Sequence, residues 1–220
     1  MQYPFHPNIE RYERDMSRVR GRPDVVSFDR RQSDDACADL MSAVMHDGRP
    51  DVLIGIRTGG LVVADSMARA AGGRLAVLAL TCRRPSSRKK TKQGYLQRMI
   101  GKLPERILNE FRVIEHAWLT RGAFRNNRAR IVLDADELST IDSWLSRAGA
   151  QLDLVVVDDT VDSGATLDLV LRTVRQRAKP GTRIRSAAIA VTTIQPLIRP
   201  DYALFERTLC RFPWSCRAMD

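Results

Sequence analysis

One stretch of the sequence reads Val155-Val156-Val157-Asp158-Asp159-Thr160-Val161-Asp162-Ser163-Gly164-Ala165-Thr166-Leu167. With Leu154, its first residues form a short β-branched run, which is typical of a strand buried on both faces of a parallel sheet. The residues after the acids predict a tight turn into a helix, whose first backbone N–H groups lack internal partners and can bind an anion. Ser163, Gly164 and Thr166 can line that anion site without steric obstruction. Two adjacent carboxylates beside it favour a ligand that carries both hydroxyl and phosphate groups.

This stretch resembles the motif with which type I phosphoribosyltransferases bind 5-phosphoribosyl 1-pyrophosphate (PRPP). The motif consists of four apolar residues, two acids, a variable pair and then a run of small and hydroxyl residues that ends in threonine. Every defining position is filled here, the last part by Asp162-Ser163-Gly164-Ala165-Thr166. An ordinary strand–turn–helix unit with a capping aspartate is the competing interpretation. Two acids at the end of a central strand would be costly to desolvate without a ligand or metal, which favours the binding motif. The resemblance implies an α/β fold, with a mainly parallel sheet flanked by helices, a small C-terminal hood and a helical insertion.

The composition is that of one globular domain spanning residues 1–220. Hydrophobic residues make up 44% of the chain, and its formal net charge of +10 with a pI of about 10.1 favours anionic partners, although a solvated basic surface would have the same charge. The four cysteines form no CxxC pair and have no metal-type spacing with histidine, so we expect free thiols in a reducing compartment. No apolar stretch is long enough for a membrane span, and residues 1–15 are polar, so we expect a cytoplasmic protein without membrane partners.

A second glycine turn precedes the motif along the chain. The apolar strand predicted at Asp51–Ile56 is followed by Arg57-Thr58-Gly59-Gly60 and by an alanine-rich helix over Leu61–Ala71, which together open a βαβ unit. Consecutive glycines let the backbone approach a ligand closely, and Arg57 adds a positive charge. By the family resemblance, residues 57 to 60 form the pyrophosphate-binding loop. A plain helix-entry turn would also explain this segment.

The remaining elements follow the same alternation of strand and helix. Residues 1–24 are predicted to be an N-terminal arm, Val25–Phe28 a short strand, and Ser33 the N-cap of a helix that ends near His46. Further predicted strands and helices are Leu75–Leu80, Ala129–Leu133, a helix from Asp134, Leu167–Arg177 and Ile184–Thr193.

Residues 81–129 interrupt this alternation with a basic segment and a predicted helical insertion. In the resembled family a flexible loop here closes over PRPP, which implies that role for Ser86, Ser87, Arg88, Lys89 and Lys90. A solvated loop is the alternative for these residues. Basic residues between 83 and 130 are also compatible with nucleic-acid contact, although Tyr95 is the lone aromatic interleaved with the basic segment 83–95. The helical residues 95–129 are a candidate surface for a homodimer or another partner.

The tail, residues 194–220, resembles the hood of hypoxanthine and xanthine–guanine phosphoribosyltransferases through Pro200-Asp201-Tyr202 and Phe212-Pro213-Trp214. That resemblance implies base-binding roles for Leu209, Phe212 and Trp214. Two departures leave the identity of the base open. The usual lysine after the last core strand is missing from residues 192 to 195, and Leu209 or Cys210 stands where an aromatic side chain usually stacks on the base.

The resemblance also implies a mechanism. Asp158 and Asp159 would hold the ribose hydroxyls, directly or through Mg²⁺, while residues Asp162, Ser163, Gly164, Ala165 and Thr166 would bind the rest of the 5-phosphoribosyl group. Asp162 is also the candidate general base. The leading hypothesis is therefore a purine phosphoribosyltransferase, a pentosyltransferase of nucleotide salvage. The alternatives are a sensor or regulator that binds PRPP or a nucleotide, and a nucleic-acid-associated protein.

Overall fold

The computed structural model describes residues 24–83, 132–147 and 152–215. The described strands are β1 (Asp24–Ser27), β2 (Val52–Arg57), β3 (Ala76–Arg83), β4 (Val132–Leu133), β5 (Asp153–Val161), β6 (Arg183–Val191), β7 (Tyr202–Glu206) and β8 (Thr208–Arg211). The described α-helices are α1 (Arg30–His46), α2 (Gly59–Ala70), α3 (Ala135–Arg147) and α4 (Ala165–Arg177), and a 3₁₀ turn spans Pro213–Ser215. In this part of the chain, no helix combines the length and apolarity that crossing a membrane requires.

Six strands form the central sheet in the order β4-β3-β2-β5-β6-β7. All neighbouring pairs are parallel except β3 and β4, which run antiparallel. Parallel neighbours need crossover connections. Helix α2 lies in the connection from β2 to β3 and α4 in the connection from β5 to β6, whereas the connection from β6 to β7 contains no helix. The prediction of an α/β fold with a mainly parallel sheet is confirmed.

Both faces of the sheet are covered, which explains the unbroken apolar run in β5. Val155 and Val157 pack into one core with residues of α1 and α2. Leu154 and Val156 point to the opposite face and pack into a second core with residues of α3 and α4. Because successive side chains alternate between the faces, a strand buried on both sides must be apolar at every position.

A separate two-stranded sheet joins the two ends of the described chain. Strand β1 pairs in parallel with β8, with Asp24 opposite Thr208 and Ser27 opposite Arg211. Phe28 then stacks on Phe212 with ring centroids 5.4 Å apart. We call this sheet, together with Phe28 and residues 212 to 215, the hood.

The start of α1 differs from the prediction. The N-cap is Asp29 rather than Ser33, and its carboxylate accepts from the Gln32 backbone N–H at 2.8 Å while the Gln32 side chain accepts from the Asp29 N–H at 2.9 Å. This reciprocal capping box satisfies two helix-terminal donors, which is why it prevails over a single hydroxyl. Ser33 lies inside the helix, only 1% exposed, and donates to the Asp29 carbonyl.

Two predicted strands end later in the structure than the sequence predicts, because each continues to pair with a neighbouring strand. Strand β5 does not end at the acids but runs through Asp158 and Asp159 to Val161, since Thr160 and Val161 still pair with β6. Strand β3 extends to Arg83, beyond the predicted end at Leu80 and into the start of the predicted flexible segment. The prediction for residues 84 to 129 lies outside the described residues, as does most of the N-terminal arm.

Candidate functional site

A cavity of about 410 Å³ opens at the C-terminal ends of β2 and β5. This is the edge at which open parallel sheets bind their ligands. Its lining residues are Ile56, Arg57, Thr58, Gly59, Cys82 and the continuous segment 158–167. The two motifs, nearly a hundred residues apart in the sequence, therefore border one space.

The turn between β5 and α4 is built around Gly164. Its φ of +75° lies in the left-handed region, and a Cβ there would come within 2.8 Å of the Ile198 carbonyl oxygen. Leu197 also donates its N–H to the Ser163 carbonyl at 2.8 Å, so the segment after β6 presses directly on this turn. Gly164 is the N-cap of α4 and has no side chain that could accept from the first-turn N–H groups. The start of α4, with its positive end of the helix dipole, thus borders the cavity as an anion site.

The glycine turn before α2 lies against the acids of β5. A Cβ on Gly60 would sit 2.4 Å from the Val157 carbonyl oxygen, and one on Gly59 would sit 1.8 Å from Asp159 Oδ2. Real Cβ atoms do not approach other atoms so closely, so both positions require glycine unless the loop or the acid moves. The contact fixes the relative position of the two binding segments.

Arg57 is held at the cavity by Glu137, whose position in the sequence does not indicate a role in the site. Its Nε donates to Glu137 Oε1 at 2.9 Å, and the same carboxylate accepts from the Thr81 hydroxyl at 3.1 Å and from the Thr81 backbone N–H. Glu137 belongs to the first turn of α3, where an acid is expected only to complement the helix dipole. Its contact with Arg57 could not be found from spacing, because 80 residues separate the two.

The paired acids of β5 are electrostatically unfavourable in the absence of a cation. Both residues keep some surface open to the cavity, yet burial of the carboxyl group raises the pKa of Asp158 well above its ordinary value, and the charge of Asp159 raises it further. Burial also raises the pKa of Asp159, although a hydrogen bond from Trp214 opposes the shift. Asp158 Oδ1 additionally accepts from the Asp159 N–H at 3.0 Å.

These carboxylates fit a divalent cation whose other ligands come from elsewhere. Among the described residues, no group of three or more histidine, cysteine, aspartate or glutamate side chains could hold a metal ion by itself. Mg²⁺ is commonly bound by one or two carboxylates together with substrate phosphate oxygens and water, which is compatible with this pair.

Asp162 lies in the same lining segment, directly after the end of β5, and is hydrogen-bonded to the residue that follows β6. The Thr192 hydroxyl donates to Asp162 Oδ1 at 2.7 Å, and the Thr192 N–H donates to the Val161 carbonyl at 3.0 Å. Thr192 is only 5% exposed, whereas Asp162 is exposed, so the buried hydroxyl holds a carboxylate that remains open to the cavity. This residue follows β6, close to where the resemblance leads one to look for a lysine.

The predicted base-binding residues lie in the hood. Phe212 is 2% exposed and belongs to the core, and neither it nor Leu209 borders the cavity described above. Trp214 stacks on Phe212 with ring centroids 4.7 Å apart and donates its indole N–H to Asp159 Oδ2 at 3.0 Å. The residues from Ser86 to Lys90 lie outside the described part of the chain.

Comparison with known proteins gives one family and several similar folds. The family model described as phosphoribosyl transferase domain matches residues 28–215. The structure is similar to a purine phosphoribosyltransferase from Pyrococcus horikoshii, with 20% identity, a TM-score of 0.53 and coverage of 87% of this chain and 93% of that one. It is also similar to a xanthine-guanine-hypoxanthine phosphoribosyltransferase from Helicobacter pylori, with 14% identity, a TM-score of 0.54 and coverage of 88% and 95%.

A third similar structure is a hypothetical protein from Neisseria gonorrhoeae with bound ppGpp, at 13% identity, a TM-score of 0.56 and coverage of 89% and 92%. At such identities the likeness establishes the fold alone. No curated protein sequence matches the chain.

Proposed function

Because the chain belongs to the family of phosphoribosyl transferase domains, we propose that it transfers 5-phosphoribose from PRPP to a purine-like base and releases pyrophosphate. The observation that carries this proposal is the convergence of residues Arg57 to Gly59, the paired acids of β5 and the start of α4 on one cavity. PRPP has the matching parts: a pyrophosphate, a ribose with two hydroxyls, and a 5′-phosphate.

The 5′-phosphate occupies the turn formed by residues 163 to 166. The helix start supplies backbone donors and a favourable dipole, and Ser163 and Thr166 add hydroxyl groups beside it. The ribose hydroxyls donate to Asp158 and Asp159, which places the sugar between the phosphate turn and the glycine loop. Carboxylates that are withdrawn from water gain most from such donors.

The pyrophosphate leaves along the glycine turn. Gly59 exposes its backbone to the cavity, while Gly60 is buried behind it against Val157 and Asp158. Arg57 brings a guanidinium group that can bind phosphate oxygens in pairs. Glu137 accepts from Nε of Arg57, which restricts the side chain to one region of the cavity mouth.

In the reaction the C1–O bond to pyrophosphate breaks and a bond forms between C1 and a ring nitrogen of the base. The bonding electrons of the C1–O bond leave with pyrophosphate, and positive charge develops on the ribose. Asp162 takes the proton released by the base nitrogen. The protein contributes mainly position and electrostatic stabilisation, since the segments on the cavity hold both ends of PRPP.

Mg²⁺ would be held by Asp158 and Asp159 together with oxygens of PRPP. When bound, it neutralises part of the charge that the leaving pyrophosphate acquires.

The purine-like acceptor is supported by the two similar purine phosphoribosyltransferase structures and by the resemblance of the tail. A second candidate function is a sensor that binds PRPP or a nucleotide without turnover. It is favoured by the absence of a base-binding lysine from residues 192 to 195 and by the ppGpp bound to the Neisseria protein.

One experiment separates the two candidates. The protein is incubated with PRPP, Mg²⁺ and a panel of nucleobases, pyrophosphate release is followed, and PRPP binding is measured in parallel by calorimetry. Release with one or more bases, lost in Asp162→Asn, supports the transferase. PRPP or nucleotide binding without release with any base supports the sensor. If PRPP binds equally to wild type and to the double variant Asp158→Asn, Asp159→Asn, the site assignment is wrong.

A further inference from the structure

Three segments of the chain meet at the carboxylate of Asp159. The residue belongs to β5, its Oδ2 accepts from the Trp214 indole N–H at 3.0 Å, and the same oxygen lies against the Cα of Gly59. A Cβ on Gly59 would approach that oxygen to 1.8 Å, which shows how closely the loop and the acid are packed. The carboxylate is thus enclosed between the glycine turn and the hood.

The indole that makes this contact is itself fixed by stacking. Trp214 lies parallel to Phe212, with 6° between the ring planes, and Phe212 stacks in turn on Phe28 at 5.4 Å. Phe28 meets Phe205 of β7 edge to face at 5.6 Å, which anchors the stack to the central sheet. The N–H of Trp214 is therefore held in place before any ligand arrives.

We propose that Trp214 is a positioning residue that holds the Asp159 carboxylate against Gly59, so that docking of the hood sets the affinity of the donor half of the site. This inference rests on the proposed function, since it assumes that Asp159 contacts PRPP. A hydrogen bond from an indole to a carboxylate is charge-assisted and directional, so it selects one orientation of the acid. Without it, the carboxylate is free to rotate away from the orientation that the ribose requires.

Two described groups that interact electrostatically with Asp159 are not cations and cannot replace the indole. They are Asp158 on the same strand and Cys210 on β8, and burial raises the pKa of Cys210 to about 12, which keeps that thiol neutral. The hood thus acts on the donor half of the site, and not on the acceptor half alone.

The first test removes the N–H and keeps the aromatic ring. Trp214→Phe preserves the stack on Phe212, and Trp144→Phe is the matched control, because Trp144 on α3 is half-buried and packs against the second core. We expect PRPP to bind about tenfold more weakly to Trp214→Phe by calorimetry. The KM for PRPP should rise to the same extent with kcat little changed, as for lost uniform binding. The control should bind PRPP as the wild type does.

The second test needs no ligand. The urea midpoints of wild type, Trp214→Phe, Asp159→Ala and the double variant form a cycle. If Trp214 acts through Asp159, the Trp214→Phe change lowers the midpoint in the wild type and has a smaller effect beside Asp159→Ala.

The outcomes separate the positioning role of Trp214 from the proposed function. Equal PRPP affinity of wild type and Trp214→Phe, or additive changes in the cycle, would overturn the positioning role while PRPP binding by the wild type still stands. A wild type that binds no PRPP would overturn the proposed function, and the effect on donor affinity with it.

Discussion

Arg185 offers a test of what stabilises the sheet at the end opposite the cavity. Its side chain is 5% exposed, and it donates to both carboxylate oxygens of Asp153 at 2.9 and 2.8 Å. It also donates to the carbonyls of Val44 and Gly48 at 2.7 and 2.9 Å and to the Tyr202 hydroxyl at 3.0 Å. One guanidinium thereby joins β5, β6, β7 and the C-terminal end of α1.

Replacing this arginine with methionine removes all of these donors, and among the described residues only the more distant Arg183, 3.5 Å from Asp153 Oδ2, still faces that carboxylate. Burial lowers the pKa of Arg185, but its hydrogen bonds to Asp153 and Tyr202 outweigh burial and hold the pKa above its ordinary value, so the wild-type group is charged. In Arg185→Met, the Asp153 side chain, 16% exposed, loses its closest countercharge, and the Val44 carbonyl loses its donor in the core. Breaking a buried ion pair on one side costs about 3–5 kcal/mol. We expect a loss of about that size in the free energy of unfolding.

Urea unfolding measures this loss, and Arg172→Met is the matched control. Arg172 pairs with Asp168 one turn earlier on α4, but its side chain is 60% exposed. Exposed pairs of this kind contribute about 0.3–0.5 kcal/mol. A loss below about 1 kcal/mol for Arg185→Met, or equal losses for the two variants, would contradict the stabilising role of the buried guanidinium. PRPP affinity of folded Arg185→Met should match the wild type, because the residue lies at the other end of the strands.

Three further predictions concern the cavity. Because burial raises the pKa of Asp158, the folded ligand-free protein binds more protons than the unfolded chain between about pH 4 and that raised pKa. Its stability therefore falls as pH rises through this window, and Asp158→Asn should reduce that fall in urea midpoints and lose PRPP binding. Thr192→Val removes the donor to Asp162 and should lower kcat about tenfold with a smaller change in KM. Glu137→Ala releases Arg57 and should raise the inhibition constant of pyrophosphate several-fold.

Each of these predictions has a contrary outcome. An unchanged pH dependence in Asp158→Asn would show that this carboxyl does not carry the proton. Thr193→Val is the control for Thr192→Val, since the Thr193 hydroxyl accepts from the Gln195 N–H instead, and equal kcat values for the two variants would argue against the role of Thr192. Asp136→Ala is the control for Glu137→Ala, because Asp136 is an exposed acid of the same helical turn. If pyrophosphate inhibits those two variants equally, Glu137 does not fix Arg57 for pyrophosphate binding.

Much of the candidate site could be predicted because its segments are local. A β-branched run, a glycine turn and a helix start are each written in a few adjacent residues, as in the segment from Leu154 to Leu167. Parallel strands bring their C-terminal ends to one edge, so the loop at residues 57 to 60 was expected beside the acids. The N-cap of α1 shows the limit of this reasoning. Serine is a favourable N-cap residue, but the helix begins earlier because Asp29 and Gln32 form a capping box.

The amino-acid sequence alone is enough to identify the segments that border the cavity, because hydrophobic period, glycine and paired acids act within a few residues. The side chains that hold those segments in position are set by tertiary packing. Trp214 reaches Asp159 because β1 pairs with β8 and the aromatic stack orients the indole, and Glu137 reaches Arg57 because α3 packs beside the end of β3. These two contacts join residues that are separated in the sequence by 55 and 80 positions. They depend on the packing of whole helices and strands, which no local pattern records.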